Sequence, residues 1–263
     1  MTARLSDAYF DRIYTESADP WRMQSRWYER RKHAITLALL PYARYRHAFE
    51  PGCSIGVLTE RLAQRCDHVT ATDVAVAALD AAQRRLMRAG QRNAVTLLRT
   101  SSTSPRAGEQ IRPRGALRGL LYLDPGVLRA AMDREVPQLA AGATVLAAHW
   151  RHPVADYLTT GDQANDVIAA TAGLHHFGGY RDADLAIDVF ATGTPISVAA
   201  RTAVPGAKPH VNEREPEGEE PVSASPRGLS ATDPRCFNAV YGAQLGIGTG
   251  TGSPALISHP PSS

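Results

Sequence analysis

Apolar positions along the first two hundred residues switch between helical spacing and short continuous runs. Residues 27 to 40 (WYERRKHAITLALL) read as a helix that Pro41 stops. Ala48-Phe49-Glu50 is a short strand running into a Gly turn, and Val57 to Arg65 puts Val57, Leu58, Leu62 and Ala63 on one helical face. A second strand (VTATD, 69 to 73), a helix from Ala75 to Ala89 closed by Gly90, and a third strand (VTLLR, 95 to 99) follow. The pattern resumes with a helix over 127 to 139, a strand at Thr144 to Trp150, a helix from Asp162 to Leu174, and strands at Leu185 to Thr192 and Ile196 to Thr202. Such alternation predicts an α/β fold with a mostly parallel sheet and helices on both faces.

Two stretches break the pattern. Between Thr100 and Tyr122 a buried fourth strand is required, and such a strand ordinarily reads as a continuous apolar run. The sequence there holds Pro105, Pro113 and arginines at 106, 112, 114 and 118, which disfavour a central strand. From Pro205 onward lie 9 of the 18 prolines, an acidic run at Glu213 to Glu220 and Gly-Thr repeats at Gly246 to Gly252. Such a composition buries too little apolar area to offset chain entropy, so 205 to 263 is expected to be a disordered tail. The expected organisation is an N-terminal helical segment over 1 to 40, one domain over 41 to 204, and that tail.

Composition narrows the partners. The chain has 263 residues, is 43% hydrophobic and carries a formal charge of +3, with its basic residues spread out, so neither nucleic acid nor an anionic membrane is indicated. Cys53, Cys66 and Cys236 form no Cys-x-x-Cys pair, which argues against a disulfide framework and a zinc site and for a reducing compartment. No apolar run approaches the roughly 20 residues that span a bilayer. A cytoplasmic protein acting on a small molecule is expected; the oligomeric state is left open.

The informative chemistry sits after the first strand. Gly52 and Gly56 in Glu50-Pro51-Gly52-Cys53-Ser54-Ile55-Gly56 let backbone approach a ligand closely, and the next helix offers free N–H groups. Asp73, at the end of the second strand, is placed to accept hydrogen bonds from both ribose hydroxyls of a nucleoside. The bland alternatives are an ordinary tight turn and a carboxylate that caps the helix after Ala75. The spacing lacks both Gly-x-Gly-x-x-Gly and a Gly-Lys-Ser/Thr tripeptide, which argues against a dinucleotide site and a phosphate-binding loop.

Together with Asp19-Pro20-Trp21, Trp27-Tyr28-Glu29-Arg30-Arg31-Lys32 and His149-Trp150-Arg151-His152-Pro153, these residues resemble the class I S-adenosylmethionine-dependent methyltransferases, and among them the nodulation N-methyltransferase NodS group. The resemblance covers roughly residues 8 to 205. It implies a Rossmann-like fold with a seven-stranded sheet and S-adenosyl-L-methionine as methyl donor, held by Glu50, Gly52, Cys53, Ser54, Gly56 and Asp73. It also implies that residues 1 to 40 fold over the donor as a lid, with Trp21 and Arg31 touching it; an amphipathic surface helix with a packed Trp is the alternative.

The expected acceptor is a nitrogen or oxygen of a small molecule, and by analogy with the NodS group a sugar derivative. The donor's methyl is already activated, so the protein's task is alignment and removal of water, with no metal required. His149 and His152, at the carboxyl end of a strand, are candidates to handle the acceptor's proton, and Trp150, Tyr157 and Asp162 to line the acceptor side. Otherwise the two histidines only anchor the loop. His175 and His176 read as surface residues.

Relatives carry something like Phe-Asp-Leu-Val-Val-Leu-Ser-Glu-Val before Tyr-Leu-Asp. Codons compatible with 111 to 119 yield that text when read one base later, which suggests a compensated pair of frameshifts across the fourth strand. Two rival functions follow from the sequence: a donor-binding pseudoenzyme that lacks this strand and its loop, and a nicotinamide-dependent reductase.

Overall fold

The computed structural model describes residues 7–99, 124–154, 157–209 and 237–242. An N-terminal helix α1 (Asp7–Glu16) precedes α2 (Trp27–Leu39), which ends where Leu40 turns extended ahead of Pro41. Then come β1 (Tyr45–Pro51), α3 (Val57–Ala63), β2 (Cys66–Asp73), α4 (Val76–Arg88) and β3 (Val95–Arg99). After the undescribed residues 100–123 follow α5 (Pro125–Glu135), β4 (Thr144–Trp150), α6 (Gly161–Ala169), β5 (Leu174–Arg181), β6 (Leu185–Thr192) and the short α7 (Val198–Arg201).

The strands form two sets of three. One is β3-β2-β1, all parallel; the other is β4-β6-β5, all antiparallel. Between them lies β7 (Phe237–Gly242), parallel to β1 on one side and to β4 on the other. The described strands form a seven-stranded sheet in which β6 alone runs antiparallel to its neighbours, and one expectation is corrected: the strand beside β1 comes from residues 237–242, inside the stretch expected to be a disordered tail. The physical reason is pairing: the facing edges of β1 and β4 need partners for their backbone N–H and C=O groups, and any strand of suitable length satisfies them whatever its place in the chain. The replaced fourth strand that the sequence predicts before Tyr122 falls outside the described residues.

Alternation along the strands splits the core. Phe49, Val145, Ala147 and Phe190 face Leu128 and Met132 of α5 and Ile168 of α6. Ala48, Leu146, Ala148, Ile187 and Val189 belong to a second cluster that holds Leu62 of α3 and Leu86 of α4. On α4 the buried positions are Ala78, Ala82 and Leu86, one stripe at helical spacing. Two alanines in that stripe let the helix lie close against the turn after β1.

Two elements differ from expectation. Ile196 to Thr202 is not a strand: Ser197 accepts the N–H of Ala200 at 3.0 Å and starts the helical turn α7, and Val198 is exposed. The partner of β6 is instead β5, read from the sequence as the end of a helix and a pair of surface histidines. Its Gly178-Gly179 pair hides the strand pattern. A Cβ on Gly179 would stand 2.4 Å from the Ile187 carbonyl, so glycine permits the close approach of β5 to β6.

Candidate functional site

The carboxyl ends of β1, β2 and β4 form one edge of the sheet, and every candidate residue beyond α2 lies on it or just after it. The turn after β1 alternates backbone handedness, with positive φ at Gly52 (68°), Ser54 (52°) and Gly56 (74°). Such alternation turns successive N–H groups toward a common side, as in backbone anion nests. A Cβ at Gly52 would meet nothing within 4 Å, so that side of the turn is open. At Gly56, which starts α3, a Cβ would stand 2.9 Å from the Cβ of Ala82.

Asp73 holds this turn from below. Its Oδ2 accepts the Ser54 N–H at 2.9 Å and its Oδ1 accepts the Ala75 N–H at 3.0 Å. The carboxylate thus braces the turns after β1 and β2 together. The capping alternative holds locally, since Asp73 serves the chain before α4. Cys53 is buried and its N–H donates to the Thr72 carbonyl at 2.9 Å, so it contributes backbone; burial pushes its thiol well up.

Glu50 is buried and accepts the Thr59 hydroxyl at 2.6 Å. Burial pushes its carboxyl up to about 8, with the Asp73 charge adding to the rise and the Thr59 bond opposing it. A buried acid poised this way is suited to a cationic ligand, whose charge would favour the ionised form.

The N-terminal segment lies across the turn. Asp19 takes the N–H groups of Met23 and Gln24, which folds the chain so that Trp21 is buried with Ile55, Val57, Val74 and Ala78. The Trp21 ring meets Tyr14 edge-on at 5.1 Å, and the Tyr14 hydroxyl donates to Ser54 Oγ. Trp21 Nε1 is buried without a hydrogen-bond partner among the described residues. Tyr14 was not singled out by sequence reasoning; the signal was there in Phe10, Ile13 and Tyr14, spaced as one face of α1.

Arg31 sits elsewhere on α2. Its guanidinium pairs with Asp182 at 2.8 Å, bonds the Tyr180 hydroxyl and lies 5.2 Å over the Tyr180 ring, which ties α2 to the turn between β5 and β6. Inward from it, Glu29 and Lys32 form a buried ion pair at 2.6 Å, and the buried Tyr28 hydroxyl has no hydrogen-bond partner among the described residues. Neither Tyr28 nor this ion pair was anticipated as functional, because charged residues on a helix ordinarily read as a solvated face.

At the end of β4, Trp150 packs edge-on against Tyr28 at 5.0 Å and lies 4.5 Å from the His152 ring. His152 is half exposed and its Nε2 is 2.7 Å from Asp184. Asp162 is a clamp: Arg151 grips it through Nε and Nη2 at 3.0 and 2.9 Å, and Arg181 reaches it at 2.8 Å. These partners hold its carboxyl below the usual range, Arg151 foremost. Tyr157 packs against the α5–α6 side of the core. His149 is fully buried, with Nδ1 against Asn165 Oδ1 and Nε2 without a hydrogen-bond partner among the described residues. Burial lowers it to about 4, so the ring is neutral. Among the described residues no group of three or more His, Cys, Asp or Glu could hold a metal ion, and no helix is long and apolar enough to cross a membrane.

Residues 11–101 match the family described as Nodulation protein S (NodS). Over 69 residues the chain is 41% identical to Nodulation protein S of Rhizobium tropici and 35% identical to that of Sinorhizobium fredii. Those alignments take in 26% of this chain and 29% and 32% of the relatives, so the matched part spans about a third of the curated proteins or less. Among solved structures, the N-methyltransferase NodS of Bradyrhizobium japonicum WM9 in complex with S-adenosyl-L-homocysteine superposes with a TM-score of 0.58 at 21% identity, over 72% of this chain and 99% of that one. Magnesium protoporphyrin IX methyltransferase of Synechocystis PCC 6803 superposes with 0.51 at 14% identity, over 73% of this chain and 100% of that one. Both likenesses are of fold alone, a Rossmann-like one.

Proposed function

We propose, from the place of residues 11–101 in the NodS family, that this protein binds S-adenosyl-L-methionine and transfers its methyl group to a nitrogen or oxygen of a small molecule. The observation that carries the reading is the brace of Asp73 to Ser54 beneath an open, left-handed Gly52 to Gly56 turn. Asp73 would receive the ribose hydroxyls, the N–H groups of the turn would line the donor, and Glu50 would face its cationic end. Trp21, packed on Ile55 and Val57, would close the lid formed by residues 1 to 40, excluding water from the transfer point. Arg31 would hold α2 in the closed position through Asp182.

The sulfonium supplies an activated methyl, so the chain's residues need only align the acceptor and keep water out. On the acceptor side, His149 would meet the acceptor's N–H or O–H, with Trp150, His152 and Tyr157 shaping the mouth. Asp162 would act through Arg151 and Arg181, holding the start of α6 against β4. A sugar derivative as acceptor extends the analogy with the NodS group. Soluble, cytoplasmic action on a small molecule is the accompanying reading.

A donor-binding protein without turnover is the second reading. It is favoured by one observation, that β7 occupies the place beside β1 where the family's fourth strand and its loop would lie. Calorimetric titration with S-adenosylmethionine and S-adenosylhomocysteine, followed by turnover assays across amine and sugar acceptors, separates the two. Binding with methyl transfer supports the first reading, and binding without transfer the second. Binding of NADPH in place of either compound overturns both.

A further inference from the structure

His149 is buried at the end of β4 with one ring nitrogen bonded and the other bare, and the residues behind it decide which is which. Asn165, on α6, is buried and stands between His149 and Asp188 of β6. A carboxylate accepts only, so Asp188 draws the Asn165 amide nitrogen toward itself and turns Oδ1 toward His149. Oδ1 in turn requires a donor, so Nδ1 of His149 carries the proton.

Asp188 is itself fixed. Its other oxygen meets His176 Nε2 at 3.1 Å, and Arg181 approaches at 3.4 Å from β5. The helix that carries Asn165 is docked without slack. A Cβ on Gly161 would lie 2.8 Å from the His149 Cβ and 2.3 Å from the Trp150 carbonyl, so α6 meets β4 only because glycine stands there. The charged groups that act on His149 are Asp188 from β6, Lys32 from α2 and Asp162 from α6.

We propose that Asn165 and Asp188 are positioning residues that lock His149 as its Nδ1–H tautomer, leaving the Nε2 lone pair to accept a hydrogen bond from the N–H or O–H of the methyl acceptor. The inference rests on the methyl-transfer reading given above. An acceptor lone pair buried without a donor is unfavourable, and a bound acceptor bearing a proton satisfies it. A neutral, fixed lone pair orients the acceptor's own electron pair without adding charge. The relay reaches the surface at His176 and Arg181 of the edge strand β5, and Arg181 also pairs with Asp162 at the start of α6.

The test is nitrogen-detected magnetic resonance of protein labelled at its histidine nitrogens, read beside kinetics and donor calorimetry on the full chain. In the wild type, His149 is expected as a single Nδ1–H tautomer. Asp188→Asn, which can offer Asn165 a donor as well as an acceptor, should mix the tautomers. It should lower kcat by about tenfold, the weight of one hydrogen bond in orientation, with the dissociation constant of S-adenosylhomocysteine unchanged. Asn165→Asp, which still accepts from Nδ1, should keep the tautomer, and Asn165→Leu should lose it; these stand in if Asp188→Asn does not fold. An Nε2–H tautomer in the wild type, or an unchanged tautomer in both Asp188→Asn and Asn165→Leu, overturns the relay. A wild type that binds no donor sinks the methyl-transfer reading instead, and the tautomer still decides the relay.

Discussion

The Oδ2 atom of Asp73 accepts the backbone N–H of Ser54 at 2.9 Å, across the gap between the ends of β2 and β1. Ser54 is one of three described non-glycine residues with positive φ, a conformation that costs roughly 1–2 kcal/mol for an L-residue. The carboxylate therefore holds the turn in its working shape before any ligand arrives. Asp73→Ala removes that support together with the proposed ribose acceptor. We expect loss of S-adenosylhomocysteine binding by calorimetry and a stability loss of about 1–3 kcal/mol by denaturant titration, from two backbone donors left unmet. Retained binding would show that Asp73 only braces.

Gly56 tests the other side of the same turn. Its positive φ and the 2.9 Å approach of a would-be Cβ to Ala82 both forbid a side chain. Gly56→Ala should destabilise by about 2 kcal/mol or more, from backbone strain and overpacking together. Adding Ala82→Gly should restore only the packing part, so a double-mutant cycle read by thermal unfolding separates the two contributions.

The turn and its carboxylate were legible in the sequence because they obey local rules: a strand, a Gly-rich turn, a helix, and an acid at the next strand's end. Helix ends were legible only approximately. The capping box of Thr160 with Gln163 and the Asp124 cap before Pro125 start α6 and α5 one and two residues earlier than apolar spacing suggests. What periodicity misses is partnership across the chain. Nothing near Asn165 or Asp188 announces a link to His149, because the three stand on different elements and meet only when α6 docks. The same holds for β7, whose place is set by the unpaired edges of β1 and β4 and not by its own neighbours.

That placement gives a direct test. In the middle of β7, Ala239 pairs with Phe49 on one side and Val145 on the other. Proline there removes a ladder N–H from a central strand, a substitution tolerated only at sheet edges. Ala239→Pro should abolish the slow hydrogen exchange expected of 237–242 and weaken protection in β1 and β4 as well. Exchange over 237–242 as fast as in a free peptide would place that strand outside the fold. Nucleotide sequencing across codons 100 to 123 addresses the companion question: an offset frame with no apolar strand text removes the frameshift explanation.

Glu50 ties the site to pH. Its carboxyl lies near 8 in the folded protein against 4.5 as an unperturbed side chain, raised by burial first. A raised carboxyl favours the protonated form on folding, so its contribution to stability is full below about 4.5 and is lost as pH climbs through about 8. Glu50→Gln, neutral at every pH, should therefore match the wild type in acid and exceed it in melting temperature at pH 8. The same substitution should weaken donor binding, because the cationic donor favours the ionised carboxylate. At pH 7 the free protein holds that proton, and binding should release it. Calorimetry in two buffers of different ionisation heat reads the release directly: up to one proton for the wild type near neutrality, fewer above pH 8, and none for Glu50→Gln. Equal release by both proteins would assign the proton to another group and leave Glu50 as a structural acid bonded to Thr59.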